Sequence, residues 1–373
     1  MNFNKPNAVV FFQYLPPWRI DVFNEMAKYY NLTIVYTNAD AEGFKYDRQD
    51  LLNRLDKNVE NIFLNNGFKV GERPIRFGLY KLIKARKPDI VFSHEYSPTS
   101  IIITIFRKLK LLNFQFIVTT SDNLLIATNI KGVKSFFRKF ILSQSNAVIV
   151  YSESVKLFYE KTFPKLKVEI CPNIQNPETL LYYKTFFPSI TQDYLNKFNL
   201  KGAKIILYTG RLEVIKGLDL LLNAFAKTDK ANFKLVIVGD GSEKKSLVKQ
   251  TKELGIEDKV IFPGFYSGKD LYAWYSLASF YILPSRFEPF GAVVNEALVF
   301  GCPVLASKYI GAADFINDSN GKLFDPLNEN EFVGVLTSFY KRSLQNNVNE
   351  KANLMPFLFS DYVKIFYKLY KLN

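Results

Sequence analysis

Phe280-Tyr281-Ile282-Leu283-Pro284-Ser285-Arg286-Phe287-Glu288-Pro289-Phe290-Gly291 runs on to Asn295-Glu296-Ala297 and then to Gly301-Cys302-Pro303. The apolar run Phe280–Pro284 has strand character, a Pro-Phe-Gly turn follows, and Ala292–Phe300 has helical spacing up to Gly301. Strand, turn and helix in that order are half of a βαβ unit, so the stretch decides for an α/β fold. Glu288 falls in the loop and Glu296 on the helix, eight residues on. Loop plus two helical turns brings both toward one ligand at different depths. A helix with an acidic first turn is the plain alternative; it accounts for Glu288 and poorly for Glu296.

The same rhythm continues in both directions. Strand patterns occur at Lys204–Gly210, Phe233–Gly239, Val260–Gly264 and Pro303–Ser307, with helical spacing over Leu218–Ala226 and Ser242–Leu254. The first half repeats it: strands at Ala8–Tyr14, Leu32–Thr37, Asp89–His94, Phe114–Thr120 and Asn146–Tyr151, helices such as Arg19–Tyr30 and Pro74–Arg86. Two such series predict two Rossmann-like, doubly wound domains with parallel sheets covered on both faces. The changeover falls between Pro172 and Leu200, where Pro, Asn, Thr and Tyr break the pattern. Bounds of 1–178 and 179–354 follow for the two domains, with a further helical stretch at about 355–373. Ligands are expected outside the carboxyl ends of the strands.

Two strand ends carry chemistry suited to a diphosphate. After the strand ending at Gly210 come Arg211 and, five residues on, Lys216 before Gly217. A planar guanidinium fork and a point charge make a sensible pair for two phosphates; solvated strand-end residues are the alternative. Gly239-Asp240-Gly241-Ser242-Glu243 follows a clean strand and opens a helix, where glycines let a backbone approach a ligand. It is no full dinucleotide fingerprint, and a tight turn explains it equally well.

Together these motifs, in this order and spacing, resemble the glycosyl transferases group 1 (family GT4), retaining, nucleotide-sugar-dependent enzymes of GT-B fold. The likeness is close over Lys204 to Pro326 and architectural elsewhere. It implies two Rossmann-like domains facing each other across a cleft, an acceptor-binding N-terminal domain, and a last helix, about Ser360–Leu372, crossing back onto it. It implies that Arg211 and Lys216 bind the donor diphosphate and stabilise charge as the sugar departs. Gly210, Gly239 and Gly241 shape the nucleotide pocket. Glu288 holds donor-sugar hydroxyls, Glu296 the ribose, and the amides of Phe290 and Gly291 face the sugar or diphosphate. Ile310-Gly311 resembles a further donor-side loop. The function implied is transfer of a sugar from a UDP- or GDP-linked donor to a glycan or glycolipid acceptor in lipopolysaccharide or capsule assembly. A catalytically silent nucleotide-sugar-binding or scaffolding protein is the rival reading.

The chain departs from the family in its first half. Where many relatives place a histidine after the strand matching Phe114–Thr120, it reads Thr119-Thr120-Ser121-Asp122-Asn123; Asp122 or Ser121 is the candidate for that role. The sole histidine, His94, ends an earlier strand ahead of Glu95, either as an acceptor contact or as a hydrogen-bonded structural residue. The family's Gly-Gly loop is replaced by Pro16-Pro17-Trp18-Arg19, where Arg19 either supplies a positive group for the donor or starts a helix in solvent.

The chain has 373 residues, 48% of them apolar and 23% charged, ordinary for a two-domain globular protein. The net charge of +14 is concentrated in residues 1–180, with 25 Lys plus Arg against 16 Asp plus Glu. That surplus fits an anionic partner such as a membrane surface, or simple solubility. Lys131, Lys134 and Arg138 fall on one helical face, with Phe136, Phe137, Phe140 and Ile141 on another; Arg107, Lys108 and Lys110 flank Leu109, Leu111 and Leu112. Both segments suit loose attachment to anionic lipid, or cover for a sheet. No nucleic-acid-binding motif is present. Two separated cysteines, Cys171 and Cys302, make no disulfide framework, which fits a cytoplasmic protein at the inner face of the membrane. Ala8–Phe12 reads as a first strand rather than a signal core. Without an Asp-x-Asp pair or a zinc-ligand cluster, catalysis is expected to need no metal and no cofactor beyond the donor.

Overall fold

A computed structural model describes residues 5–38, 47–229, 232–345 and 351–370. Contacts divide the chain into two units: residues 1–175 with 359–373, and residues 176–358.

The strands are β1 (Asn7–Phe12), β2 (Asn31–Tyr36), β3 (Glu60–Phe63), β4 (Gly67–Val70), β5 (Arg73–Arg76), β6 (Ile90–His94), β7 (Gln115–Thr119), β8 (Ala147–Val150) and β9 (Lys167–Ile170) in unit 1. Unit 2 has β10 (Lys204–Thr209), β11 (Phe233–Val238), β12 (Val260–Gly264), β13 (Ala278–Leu283), β14 (Val304–Ser307) and β15 (Gly321–Phe324). Unit 1 is built on a sheet of order β3-β2-β1-β6-β7-β8-β9, unit 2 on a sheet of order β12-β11-β10-β13-β14-β15. All their pairings are parallel. Each is a doubly wound, Rossmann-like sheet, and the strand order reverses at β1/β6 in one and at β10/β13 in the other. Those two crevices are where such folds place ligands.

Burial on both faces explains why the central strands are almost continuously apolar. In β1, Ala8, Val10 and Phe12 pack under the helices Ile20–Tyr29 and Phe359–Tyr370, while Val9 and Phe11 pack on the opposite face with Ile103 and Ile141. The terminal helix contributes Val363, Phe366 and Leu369 to the first of these clusters, and the Tyr30 hydroxyl donates to the Phe366 carbonyl. Chain segments at opposite ends of the sequence thus share one core; residues 371–372 of the expected helix lie outside the described residues.

Several expectations need correction. Residues 73–76 form β5, paired antiparallel with β4, and the helix expected from Pro74 begins only at Leu79. Gly78, at φ 88°, makes the break. The unforeseen β3, β9 and β15 are sheet edges, where short strands with polar residues replace the apolar run. Residues 177–197, read as a break in pattern, are largely helical. There Tyr194 stacks on Trp274 at 4.4 Å, fastening the segment to unit 2.

Candidate functional site

In unit 2 the crevice at β10/β13 gathers the residues singled out from the sequence. Gly210 follows β10 at φ 151°, and the chain turns through Arg211 to the short helix Val214–Lys216. Gly217 then adopts φ 67°, and a Cβ there would lie 2.3 Å from the Pro284 carbonyl oxygen. Only glycine therefore lets this loop press against the end of β13. Lys216 consequently forms an ion pair with Glu288, both side chains being mostly buried. Arg211 is exposed, with its carbonyl accepting from the Tyr208 hydroxyl at 2.9 Å.

The glycine-rich loop after β11 is fitted to the same place. A Cβ on Gly239 would lie 1.8 Å from the Gly210 carbonyl oxygen, and one on Gly241 2.4 Å from that of Leu212. Leu212 N donates to Asp240 O and Glu243 N to Leu212 O, both at 2.9 Å. Ser242 donates its hydroxyl to Glu213 at 2.9 Å. These glycines allow one backbone to lie on another, which is the tight-turn reading.

Glu288 is held from a third side. Its amide donates to Tyr309 O and its carbonyl accepts from Gly311 N, each at 3.1 Å; Ala312 N donates to Phe290 O at 2.7 Å. The Ile310-Gly311 segment therefore clamps the turn that carries Glu288, Phe290 and Gly291. Phe290 is buried, its ring edge-on to Phe315.

Glu296, on the helix Val293–Val299, accepts from the Tyr275 hydroxyl at 2.8 Å. Tyr275 and Thr209 share a second hydrogen bond of 2.8 Å. With the tyrosine proton committed to the carboxylate, Thr209 must donate to Tyr275, giving a one-way chain Thr209→Tyr275→Glu296. The Tyr281 hydroxyl donates to Thr209 O at 3.1 Å. Burial, then the Glu296 charge, holds the Tyr275 hydroxyl well above the usual tyrosine range, so it remains a donor.

Sequence reasoning missed Arg286 and Asp219. The guanidinium spans both carboxylate oxygens at 2.6 and 2.7 Å and also donates to Val214 O at 2.9 Å; the Arg286 amide donates to Ile215 O at 2.9 Å. Its fork keeps the Asp219 carboxyl below the usual carboxylate range. The signal was present: Arg286 lies inside the quoted motif and Asp219 three residues past Lys216.

In unit 1 the crevice at β1/β6 holds Arg19, His94 and Glu95. Arg19 is 2% exposed, not a helix-start residue in solvent. Its Nη1 reaches Pro172 O at 3.3 Å and Asn173 Oδ1 at 3.4 Å, between the rings of Phe23 and Tyr151. His94 stacks on Phe12 with ring centres 4.0 Å apart, and Nδ1 shares a 2.9 Å hydrogen bond with Thr119 Oγ1. Burial, reinforced by the Arg19 charge, lowers its pKa to about 3, so the ring is neutral near pH 7. Asp122 is 5% exposed and accepts from the Tyr159 hydroxyl at 2.8 Å. Burial, then the charge of Glu95, raises its pKa to about 6. Ser121 donates both its amide and its hydroxyl to Glu95.

The basic segments of unit 1 need one correction. Arg138 does not join Lys131 and Lys134 on the surface; it is buried, donates to Ala127 O at 2.7 Å and lies against the Phe158 and Tyr159 rings. It faces inward with Ile141 and Leu142 and supplies a carbonyl of the helix Leu124–Asn129 with a donor. The remaining surface is nonetheless apolar and basic. Leu124, Leu125, Val133, Phe136, Leu109 and Leu111 are exposed beside Lys131, Lys134 and Lys139, and Lys108 sits over the Phe140 ring. Among the described residues no helix is long and apolar enough to cross a membrane, and no group of three or more His, Cys, Asp and Glu is placed to hold a metal.

Residues 191–355 match the family model of glycosyl transferases group 1. An uncharacterized glycosyltransferase of Methanocaldococcus jannaschii, MJ1607, is 34% identical over 44% of this chain and 45% of its own length. The lipopolysaccharide 1,2-N-acetylglucosaminetransferase of Salmonella typhimurium is 31% identical over 56% of this chain and 57% of its own. The chain thus spans about half the length of these curated relatives. Among solved structures, Anabaena Alr3699/HepE in complex with UDP aligns with a TM-score of 0.71 at 17% identity, over 97% of this chain and 95% of that one. A glycosyltransferase from Rickettsia africae aligns with a TM-score of 0.75 at 18% identity, over 99% and 98%. At such identities the likeness shows the fold, which is GT-B.

Proposed function

We propose, from the premise that residues 191–355 belong to the glycosyl transferases group 1, that this chain transfers a sugar from a nucleoside-diphosphate donor to a glycan or glycolipid acceptor. The observation that carries the reading is the Lys216–Glu288 ion pair at the β10/β13 crevice. Before donor binds, each charge serves the other. A diphosphate reaching Lys216 replaces Glu288 as its partner and frees the carboxylate to accept from sugar hydroxyls. Arg211 adds a second positive group, and Glu296, oriented by Tyr275, accepts from the ribose. HepE, one of the fold neighbours, was solved with UDP and with UDP-glucose, which makes a uridine donor the first to test.

Stereochemical retention belongs to the proposal through the family. So does independence of metal: the mostly buried Lys216 and the exposed Arg211 can together offset a diphosphate leaving group without one. The relative acting in lipopolysaccharide synthesis supports an acceptor of surface-polysaccharide type. With it goes loose attachment of unit 1 to anionic lipid through Leu109, Leu111, Val133 and Phe136 among their lysines.

Thermal unfolding against UDP-, GDP- and ADP-sugars, with and without EDTA, tests the reading. One donor should raise the melting temperature selectively, unaffected by EDTA, and fail to do so in Lys216→Ala and Glu296→Ala. Equal response of both variants to the donor would overturn the site; stabilisation without turnover would favour a silent binding protein.

A further inference from the structure

The two units repeat one plan. Strands β3-β2-β1 and β6-β7-β8 of unit 1 stand in the order of β12-β11-β10 and β13-β14-β15 of unit 2. The loop after β6 therefore holds in unit 1 the place that the Glu288 loop holds in unit 2. Its first residue beyond the strand is Glu95. If unit 2 takes the donor, as proposed above, the matching crevice of unit 1 is the place for the second substrate.

Three features set Glu95 apart. Its backbone lies in the left-handed region at φ 62°, a conformation that costs a residue with a side chain about 1–2 kcal/mol. The Glu95 amide donates to Thr119 O at 2.7 Å and its carbonyl accepts from Ser100 Oγ at 2.6 Å, which fixes that conformation. Its carboxylate is then aimed and anchored chiefly on one oxygen: Oε1 accepts from the Ser121 amide at 2.8 Å and from the Ser121 hydroxyl, while Oε2 accepts a long hydrogen bond of 3.3 Å from the Thr120 hydroxyl. Neutral His94 packs beside Oε1 at 3.4 Å. Finally, the side chain is 36% exposed, whereas Asp122 nearby is 5% exposed with its carboxylate turned to Tyr159. Of these two carboxylates, after the neighbouring strands β6 and β7, Glu95 is the one that solvent reaches.

We propose that Glu95 is the acceptor-binding residue of unit 1, its Oε2 accepting a hydrogen bond from the hydroxyl of a neutral sugar acceptor. The anchored carboxylate fixes the direction from which that hydroxyl presents its oxygen, and Ser121 is a positioning residue acting through it. This rests on the donor site being in unit 2. Partial burial raises the Glu95 carboxyl above its ordinary range, tempered by the Ser121 donors, which suits a hydrogen-bond acceptor of increased basicity.

Glu95→Gln tests the inference, since the amide oxygen can still accept from Ser121 and preserve the loop. The measurements are donor-induced thermal shift, slow hydrolysis of that donor by water, and transfer to a panel of methyl hexopyranosides. The variant should keep the melting temperature, the donor shift and the hydrolysis of the parent protein. Its KM for the glycoside should rise at least tenfold, and Ser121→Ala should show a smaller change of the same kind. An unchanged glycoside KM overturns the proposal, as does an equal loss of hydrolysis and transfer, which would mark Glu95 as structural. Absence of any donor shift in the parent protein would instead refute the donor reading in unit 2, and the assignment of Glu95 with it.

Discussion

Arg286 grips Asp219 through two parallel hydrogen bonds of 2.6 and 2.7 Å, and with its bond to Val214 O ties the loop after β10 and the first turn of the helix Leu218–Ala226 to the loop after β13. Lys216 and Glu288 ride on those two loops. Arg286→Lys replaces a planar fork by a point charge and loses one of the paired bonds. The expected result is a donor affinity reduced about tenfold, worth about 1.4 kcal/mol, with the melting temperature lowered by only a few degrees. The pair is partly exposed, so its own contribution to stability is small, about 1 kcal/mol or less. Because the folded Asp219 pKa is depressed, that contribution is present above the unfolded value and is lost as pH falls through the folded one. Melting temperatures of the parent protein and Asp219→Asn should therefore differ at pH 7 and converge below about pH 4. A gap that persists at low pH would deny the ion pair its role.

Gly239 and Gly255 both adopt positive φ, at 149° and 63°, yet they should answer very differently to alanine. A Cβ at Gly239 meets the Gly210 carbonyl at 1.8 Å, whereas one at Gly255 meets nothing within 4 Å. Gly255→Ala should cost about 1 kcal/mol, the backbone penalty alone. Gly239→Ala should cost over about 4 kcal/mol or prevent folding, because the strand-end loops can no longer touch. Urea unfolding of both variants decides it, and equal costs would mean that the loops separate readily.

What the sequence made legible was whatever burial and motif spacing enforce. Central strands such as β10 and β11 are apolar on both faces, so their runs announce them. The edge strands β3, β9 and β15 face water along one side and carry Glu60, Lys167 or Lys322 among few apolar residues; no run marks them. The motifs of the β10/β13 crevice were readable because glycine and glutamate types are dictated by close backbone approach and by charge. Tyr275 and Thr209 were not, since a hydrogen-bond chain joining residues on different elements has no sequence period. Arg138 shows the opposite failure. Helical spacing placed it with Lys131 and Lys134, and the need of the Ala127 carbonyl for a donor turned it inward.

Phe136 is 65% exposed and Val133 71%, on a helix whose neighbouring lysines are solvated. Such a face binds lipid by apolar burial together with attraction to anionic headgroups, about 1 kcal/mol for each lysine near the surface. Sedimentation with vesicles of anionic lipid should retain the protein at low salt and release it at high salt. Phe136→Ser combined with Lys134→Glu should abolish retention while leaving the donor-induced thermal shift intact. Equal retention on neutral vesicles, or by the double variant, would count against attachment through this face.

Asp122 offers a test in which stability and catalysis part. Its folded pKa of about 6 stands above the usual carboxylate value, raised first by burial and then by Glu95. Between the unfolded and folded values the native state binds a proton that the unfolded chain does not, so the parent protein gains stability as pH falls through that window. Above it, ionised Asp122 is a net cost, at two units about 3 kcal/mol. His94 acts in the opposite sense: with a folded pKa of about 3 it resists protonation that the unfolded chain accepts, and it lowers stability over much the same interval. All of this operates in the parent protein together with the raised Glu95 carboxyl, and the effects of His94 and Glu95 remain in Asp122→Asn. The difference between the two proteins therefore reports the Asp122 carboxyl together with its repulsion of Glu95. Asp122→Asn should be more stable by about 1–3 kcal/mol at pH 8, and the margin should close by about pH 4. Parallel stability curves across that range would contradict a raised pKa. If transfer by the stabilised variant stays within threefold of the parent protein, Asp122 only supports Tyr159 behind the crevice; a hundredfold loss in a better-folded protein would give it the part taken by the histidine of many relatives.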